Sequence, residues 1–425
     1  MSLKITPISN GVEGLYIKND RFNTTLLSFN FYLPLKKETV AENALLPFIL
    51  TTCSKQYPDF SALNYKLAKL YGATLNASTE KFGDCQLLQI NISVVNDRFT
   101  FENESLLVEA ASLLTDLIFN PNCENSEFLE ADLKREKRKA IEHIKSEISE
   151  KRIYAKNRLI SEMFKDDCFG VQKCGTIEDV EKITGKSLYL AWQRMLRESF
   201  IRIQVVSSSK PPKFFENLAE KFDSLDRQNI TNTHLCKPTA PAIKPNHITE
   251  TMEIAQGKLV MGFSSDMYGD DDVSLPLMVA SDIFGGGPYS RLFTNVREKL
   301  SLCYYCSSSA MRQKGLLTVD SGVEKKNAEK AEKEILNQLE IVKNGKFSDF
   351  EFESSIKSIS DSLNSYNDSQ SAINKWYIMK INNEKLYSPE DIAEKLKLIT
   401  REDVIYAAKG IKLHTVYKLL PTEAK

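Results

Sequence analysis

The densest set of groups able to do chemistry lies between residues 285 and 305. It runs Gly285-Gly286-Gly287-Pro288-Tyr289-Ser290-Arg291-Leu292, then Val296-Arg297-Glu298-Lys299-Leu300-Ser301-Leu302-Cys303-Tyr304-Tyr305. Arg297 and Tyr304 supply a guanidinium and a phenol. Once positioned, these donors can bind a peptide carbonyl or stabilise a developing oxyanion. The plainer role open to them is structural, with Arg297 paired to Glu298 and Tyr304 packed on a half-buried strand. No Gly-Lys-Ser/Thr follows the three glycines, so they do not form a phosphate cradle; a tight turn feeding Pro288 at the first helical position accounts for them. Cys303 and Cys306 have redox or zinc spacing, but no second Cys/His pair accompanies them. On a regularly alternating strand their sulfurs point to opposite faces, so packing is the expected role.

A catalytic zinc ion needs three protein ligands and an open fourth position. The chain has only four histidines, His143, His234, His247 and His414, and none lies within four residues of another. No two of them share a helix face, and Cys168 and Cys174 have no histidine at useful spacing. A metal site on this chain is not expected. His143 falls on a helix that spans about Glu127 to Lys165, where Leu129, Leu133, Ala140, Ile141, Ile144 and Ile148 recur as one buried stripe. Lys134, Arg135, Lys137, Arg138 and Lys139 occupy the rest, balanced by Glu142, Glu147 and Glu150, so His143 belongs to a solvated face or a cap.

The elements that must position these groups occur twice, which predicts an α+β fold of two similar domains. Leu45-Leu46-Pro47-Phe48-Ile49-Leu50 has a counterpart in Leu275-Pro276-Leu277-Met278-Val279-Ala280, each within a helix under a sheet. Further helical stretches follow at Phe60–Leu70 and Tyr289–Leu300. Strand pairs come next, 73–78 with 87–95 and 302–308 with 316–320. Leu88, Ile90, Ile92 and Val94 alternate with Gln89, Asn91 and Ser93, the pattern of a half-buried strand. Thr176-Ile177-Glu178-Asp179 echoes Ser388-Pro389-Glu390-Asp391, each an N-cap with acidic residues in the first turn. Leu188, Trp192 and Leu196 share one packing face. A helix from Phe214 to Phe222 closes the first domain. These patterns divide the chain into an N-terminal domain, 1–235, a proline-rich linker, 236–246, and a C-terminal domain, 247–425.

Composition narrows the partners. Lys and Arg total 56 against 57 Asp and Glu, a net charge of -1. Such a chain has no global field to draw nucleic acid or an anionic membrane. No apolar run approaches the roughly 20 residues of a spanning helix, and Met1-Ser2-Leu3-Lys4-Ile5-Thr6-Pro7 has no signal-peptide core. Eight scattered cysteines fit reduced thiols of a cytoplasmic protein.

Residues 285–305, together with the repeated order of elements, resemble the insulinase/pitrilysin family of zinc peptidases, which carry an inverted His-x-x-Glu-His motif. The resemblance implies two homologous domains like those of mitochondrial processing peptidase, each an antiparallel-rich sheet covered by helices on one side. On the family's Ala-His-Phe-Leu-Glu-His, the first histidine falls on Pro47, the general base on Leu50 and the second histidine on Thr51. Glu136 keeps the first glutamate of the long helix, but the third-ligand position seven later is His143. In the family's second domain an arginine and a tyrosine seven residues apart hold the substrate backbone and its scissile carbonyl; Arg297 and Tyr304 match them. The chain is thus similar to the non-catalytic members of Gram-positive bacteria that keep the Arg/Tyr pair and lack the zinc motif.

The resemblance implies a catalytically inactive subunit that binds an extended peptide, completes the active site of a zinc-bearing sister and holds no zinc itself. A homodimer is the assembly open to the chain alone. Two other readings stay open: an architectural or interaction protein without peptide binding, and a zinc endopeptidase with unrecognised ligands.

Overall fold

The structure, a computed structural model, describes residues 3, 5–101, 104–209, 214–233 and 236–422. His234 and Lys210-Pro211-Pro212 lie outside the described residues. The chain gathers into two compact units. The first takes Met1–Lys145, Val171–Leu235 and Asp368–Ile381; the second takes Ser146–Gly170, Cys236–Asn367 and Asn382–Lys425.

The first unit is built on β1 (Ile5–Ser9), β2 (Val12–Lys18), β3 (Thr24–Pro34), β4 (Thr74–Phe82), β5 (Cys85–Val95) and β8 (Phe200–Ser207). Their spatial order is β1-β2-β8-β3-β5-β4, and only β2 and β8 run parallel. Two short strands, β6 (Cys123–Glu124) and β7 (Glu127–Phe128), pair apart from it. Leu88, Ile90, Ile92 and Val94 are buried as their alternation requires, beneath the helices Val40–Leu50, Leu106–Phe119 and Gly185–Glu198. Leu188 and Leu196 enter the same core, and Trp192 Nε1 donates to the Ile118 carbonyl at 2.8 Å.

The second unit holds β9 (Asn246–Met252), β10 (Gly257–Ser264), β11 (Cys303–Met311), β12 (Leu316–Val323) and β13 (Lys412–Pro421). The order is β11-β12-β10-β13-β9, with β9 and β13 parallel. Read from the other edge, it repeats β2-β8-β3-β5-β4 of the first sheet, parallel pair included. The caps repeat as well: Thr176 with Asp179, and Ser388 with Asp391, each close a reciprocal capping box.

The units differ from contiguous halves by an exchange. The long helix expected from about Glu127 to Lys165 is two helices, Glu130–Ser149 and Lys151–Met163. They part at Glu150, whose carboxylate accepts the Arg152 backbone N–H at 3.2 Å. The stripe changes sheets there. Leu133 is buried in the first unit, Ile148 is exposed, and Ala155 and Leu159 are fully buried against Val260, Tyr417 and Leu419 of the second. Gly262 of β10 permits this contact, because a Cβ there would lie 2.6 Å from Met163 Sδ. In return, Gln370–Ile378 from the C-terminal half lies on the far face of the first sheet. Ser28 Oγ donates to Asn374 Oδ1 at 3.0 Å, Tyr32 Oη to the Ile378 carbonyl at 2.8 Å, and the buried Arg202 to the Tyr377 carbonyl at 3.0 Å.

The helix Lys151–Met163 is fastened by charge as well as by apolar contact. Glu250 on β9 accepts from Tyr154 Oη at 2.6 Å and Tyr417 Oη at 2.5 Å, and pairs with Arg158 at 3.4 Å. Burial raises the Glu250 carboxyl, but the two phenols and the guanidinium outweigh it and hold it below the usual carboxylate range. A depressed folded-state value contributes stability above the unfolded value, lost as the pH falls through the folded one. Glu250→Gln is therefore expected to cost about 1.5–3 kcal/mol at neutral pH and much less once the pH has fallen through the depressed folded-state value. Urea denaturation at both pH values checks this; an equal cost at each would contradict it.

Candidate functional site

The positions aligned with the zinc ligands lie in the first unit. Pro47 and Leu50 are buried inside Val40–Leu50 and offer no lone pair to a metal. Thr51 caps that helix, and its hydroxyl donates back to the carbonyls of Pro47 at 2.9 Å and Phe48 at 3.0 Å. His143 is an exposed residue of Glu130–Ser149. Both nevertheless border one cavity of about 460 Å³, walled chiefly by Leu45, Phe48, Ala140 and the stem of Glu136. Spacing therefore brought the right positions together with the wrong side chains. The buried Glu136 carboxylate is taken up by Arg135 and Lys139, each at 3.0 Å. Elsewhere His247 contacts Glu332 at 3.0 Å and His414 contacts the Thr415 hydroxyl at 2.8 Å. A hydroxyl turned to backbone, a doubly paired carboxylate and one exposed imidazole do not fit a zinc ion, which takes three converging ligands and a water.

Arg297 and Tyr304 lie in the second unit. The stretch expected as a helix from Tyr289 is π-helical over Leu292–Lys299, and Leu300 N–H bonds to the Asn295 carbonyl at 3.1 Å. Such i→i+5 turns are rare and recur at functional sites. Pro288 stands in the turn before it, not at the first helical position. Gly286 is required in that turn, since a Cβ would overlap the Asp282 carboxylate. The Arg297 guanidinium lies over Phe293 at 4.6 Å and pairs with Glu298 at 3.4 Å, at a half-exposed position where such a pair is weak. It borders a second cavity, about 260 Å³, with Gly286, Arg152, Tyr305 and Cys306.

Tyr304 is more exposed than a packed strand residue, at 57 %, and its hydroxyl reaches Glu324 at 3.3 Å. The strand is not regular there. Cys303 pairs with Val323 and Tyr305 with Gly322, so Tyr304 is an extra residue, a bulge on the edge strand β11. The expectation that Cys303 and Cys306 face opposite ways is thereby corrected: the bulge shifts the alternation, and both are buried on one face. Tyr305, not Tyr304, reaches the cavity wall. Its hydroxyl donates to the buried Asp320 at 3.2 Å, and its ring carries the Arg152 guanidinium at 4.4 Å. Asp320 also holds Arg152 at 2.5 Å and Lys156 at 3.2 Å. Sequence reasoning missed Arg152 and Asp320, because no local pattern signals an exchanged helix.

Residues 182–359 match the family model described as the M16 peptidase inactive domain. A Bacillus subtilis protein described as a probable inactive metalloprotease, YmfF, is 30 % identical over 415 residues, covering 97 % of this chain and 96 % of that protein. YmxG of the same organism, an uncharacterised zinc protease, is 26 % identical over 60 % of each chain. The fold of a conserved Enterococcus faecalis protein superposes over 100 % of both chains, with a TM-score of 0.91 and 27 % identity. An M16 peptidase inactive domain of Pseudomonas fluorescens shares the fold at a TM-score of 0.79 and 16 % identity, also over 100 % of both.

Two expectations follow from the geometry. The purified chain, incubated with zinc and desalted, should retain substoichiometric metal by mass spectrometry. Pro47→His with Thr51→His, two imidazoles four apart beside His143, should raise it to about one zinc per chain; one zinc on the unaltered chain would contradict the fit. Asp320→Asn should destabilise the fold by about 1–3 kcal/mol, whereas Arg297→Ala should change stability by less than about 0.5 kcal/mol. Equal losses in chemical denaturation would make Arg297 a structural residue.

Proposed function

This chain belongs to the insulinase/pitrilysin-type M16 peptidase family, among its non-catalytic members, and we propose that it holds an extended peptide for a zinc-bearing sister subunit. The carrying observation is the contrast between its two cavities. Where the family binds zinc, the donors are gone and apolar walls remain. Where the family holds substrate, Arg297 still borders an open cavity, with the exposed Glu298 as its one ionic partner among the described residues.

An extended peptide presents backbone N–H and C=O groups that a sheet edge can pair. The edges β4 and β11 are the strands on which such pairing could occur, and β11 carries Tyr304. Arg297 and Tyr304 then supply donors to peptide carbonyls, while the sister contributes metal and activated water. The apolar cavity beside Phe48 has the size for a bulky apolar side chain. No helix among the described residues is long and apolar enough to cross a membrane. A cytoplasmic assembly with the sister, working on peptides, is the setting proposed.

The test is kinetic, on the mixture of this chain with an M16 subunit that carries His-x-x-Glu-His. Arg297→Ala should lower kcat/KM by about 100-fold, and Tyr304→Phe by roughly tenfold, with zinc content unchanged. Full activity in both variants would show that the pair does not hold substrate.

A further inference from the structure

We propose that Cys303 and Cys306 are a redox-active dithiol that closes to a disulfide by exchange with a low-molecular-weight disulfide such as oxidised glutathione. None of the eight cysteines is in a disulfide in the structure. This pair is set apart by three features. The extra residue at Tyr304 turns two thiols three residues apart onto one face of β11. They lie opposite Val323 and Ser321, alternate residues of β12 that share a face, and each thiol perturbs the titration of the other. Cys306 also borders the cavity of about 260 Å³, and Cys303, 9 % exposed, is the more accessible of the two, where a small disulfide meets the pair.

The environment divides the labour between the two sulfurs. The neighbouring Cys306 thiol lowers Cys303 against the opposing effect of burial, and the nearby Arg297 guanidinium adds to the lowering. Cys306 is driven up by the neighbouring Cys303 and by burial. Cys303 is therefore the attacking thiolate. Its sulfur bonds to one sulfur of the external disulfide, whose S–S bond breaks and releases one thiolate. Cys306 then loses its proton, attacks the Cys303 sulfur and expels the second external thiolate. Two protein thiols are oxidised and one external disulfide is reduced to two thiols.

An S–S bond of about 2.05 Å draws the two strand positions together, and Tyr304 is the residue between them. Closure thus reshapes the bulge that presents the phenol. That consequence for peptide holding rests on the function proposed above; the disulfide does not, so the two can fail separately.

The test uses the full-length native chain, incubated with oxidised glutathione, then denatured, alkylated with iodoacetamide and digested with trypsin. Both thiols fall in one peptide, Leu300–Arg312, which contains no other cysteine. The expected result is a peptide lighter by two hydrogens and without alkyl groups, regaining two alkyl groups after reduction. Two alkyl groups without reduction, or a glutathione on each cysteine, would overturn the proposal. Cys306→Ser should stop at one glutathione on Cys303; an unmodified Cys303 there would overturn its assignment as the attacking thiol.

Discussion

The buried carboxylate of Asp320 is the point on which the part of the second unit around Arg297 depends. It sits near the middle of β12, 2 % exposed, where an unpaired charge would be costly. Three partners from two directions satisfy it: Arg152 and Lys156 from the exchanged helix, and Tyr305 from the neighbouring strand. Because Arg152 also stacks on Tyr305, one carboxylate sets the helix, the edge strand and the wall of the Arg297 cavity together. Glu250 repeats the device three strands away, with two phenols and Arg158. Polar groups fix the place of a helix whose apolar face alone would tolerate sliding.

The contrast between the cavities follows from the side chains that occupy equivalent helical positions. Geometry at the former metal site persists, since Thr51 and His143 still border one space. What is lost is donor chemistry: proline and leucine cannot ligate, and Glu136 is neutralised by Arg135 and Lys139. The Arg297 cavity has the opposite character, with a half-exposed cation over an aromatic ring and glycines that keep the turn open. Donor chemistry that does not suit zinc, together with an open cavity at Arg297, is what this chain brings to its membership among the inactive relatives.

Much of this was legible in the sequence. Repeated apolar runs, the alternation of Leu88 to Val94 and the paired capping residues Thr176 and Ser388 gave the doubled α+β architecture, because each signal is local. The absence of paired histidines likewise made the metal reading clear. Three features were hidden. The exchange at Glu150 interrupts a stripe whose period continues on both sides, so nothing local marks the change of sheet. The π-helix keeps Arg297 on a helical pattern while altering its phase. The bulge at Tyr304 breaks the period of two, which is why the cysteines and Tyr305 face otherwise than alternation implies.

The most direct measurement is peptidase activity of the purified chain, alone and mixed with an M16 subunit that carries His-x-x-Glu-His, the proposed sister, with metal determined on the same samples. The account predicts a zinc-free chain that is silent alone and raises the sister's activity when mixed. Activity with bound zinc in the chain alone, or no effect on the sister, would contradict it.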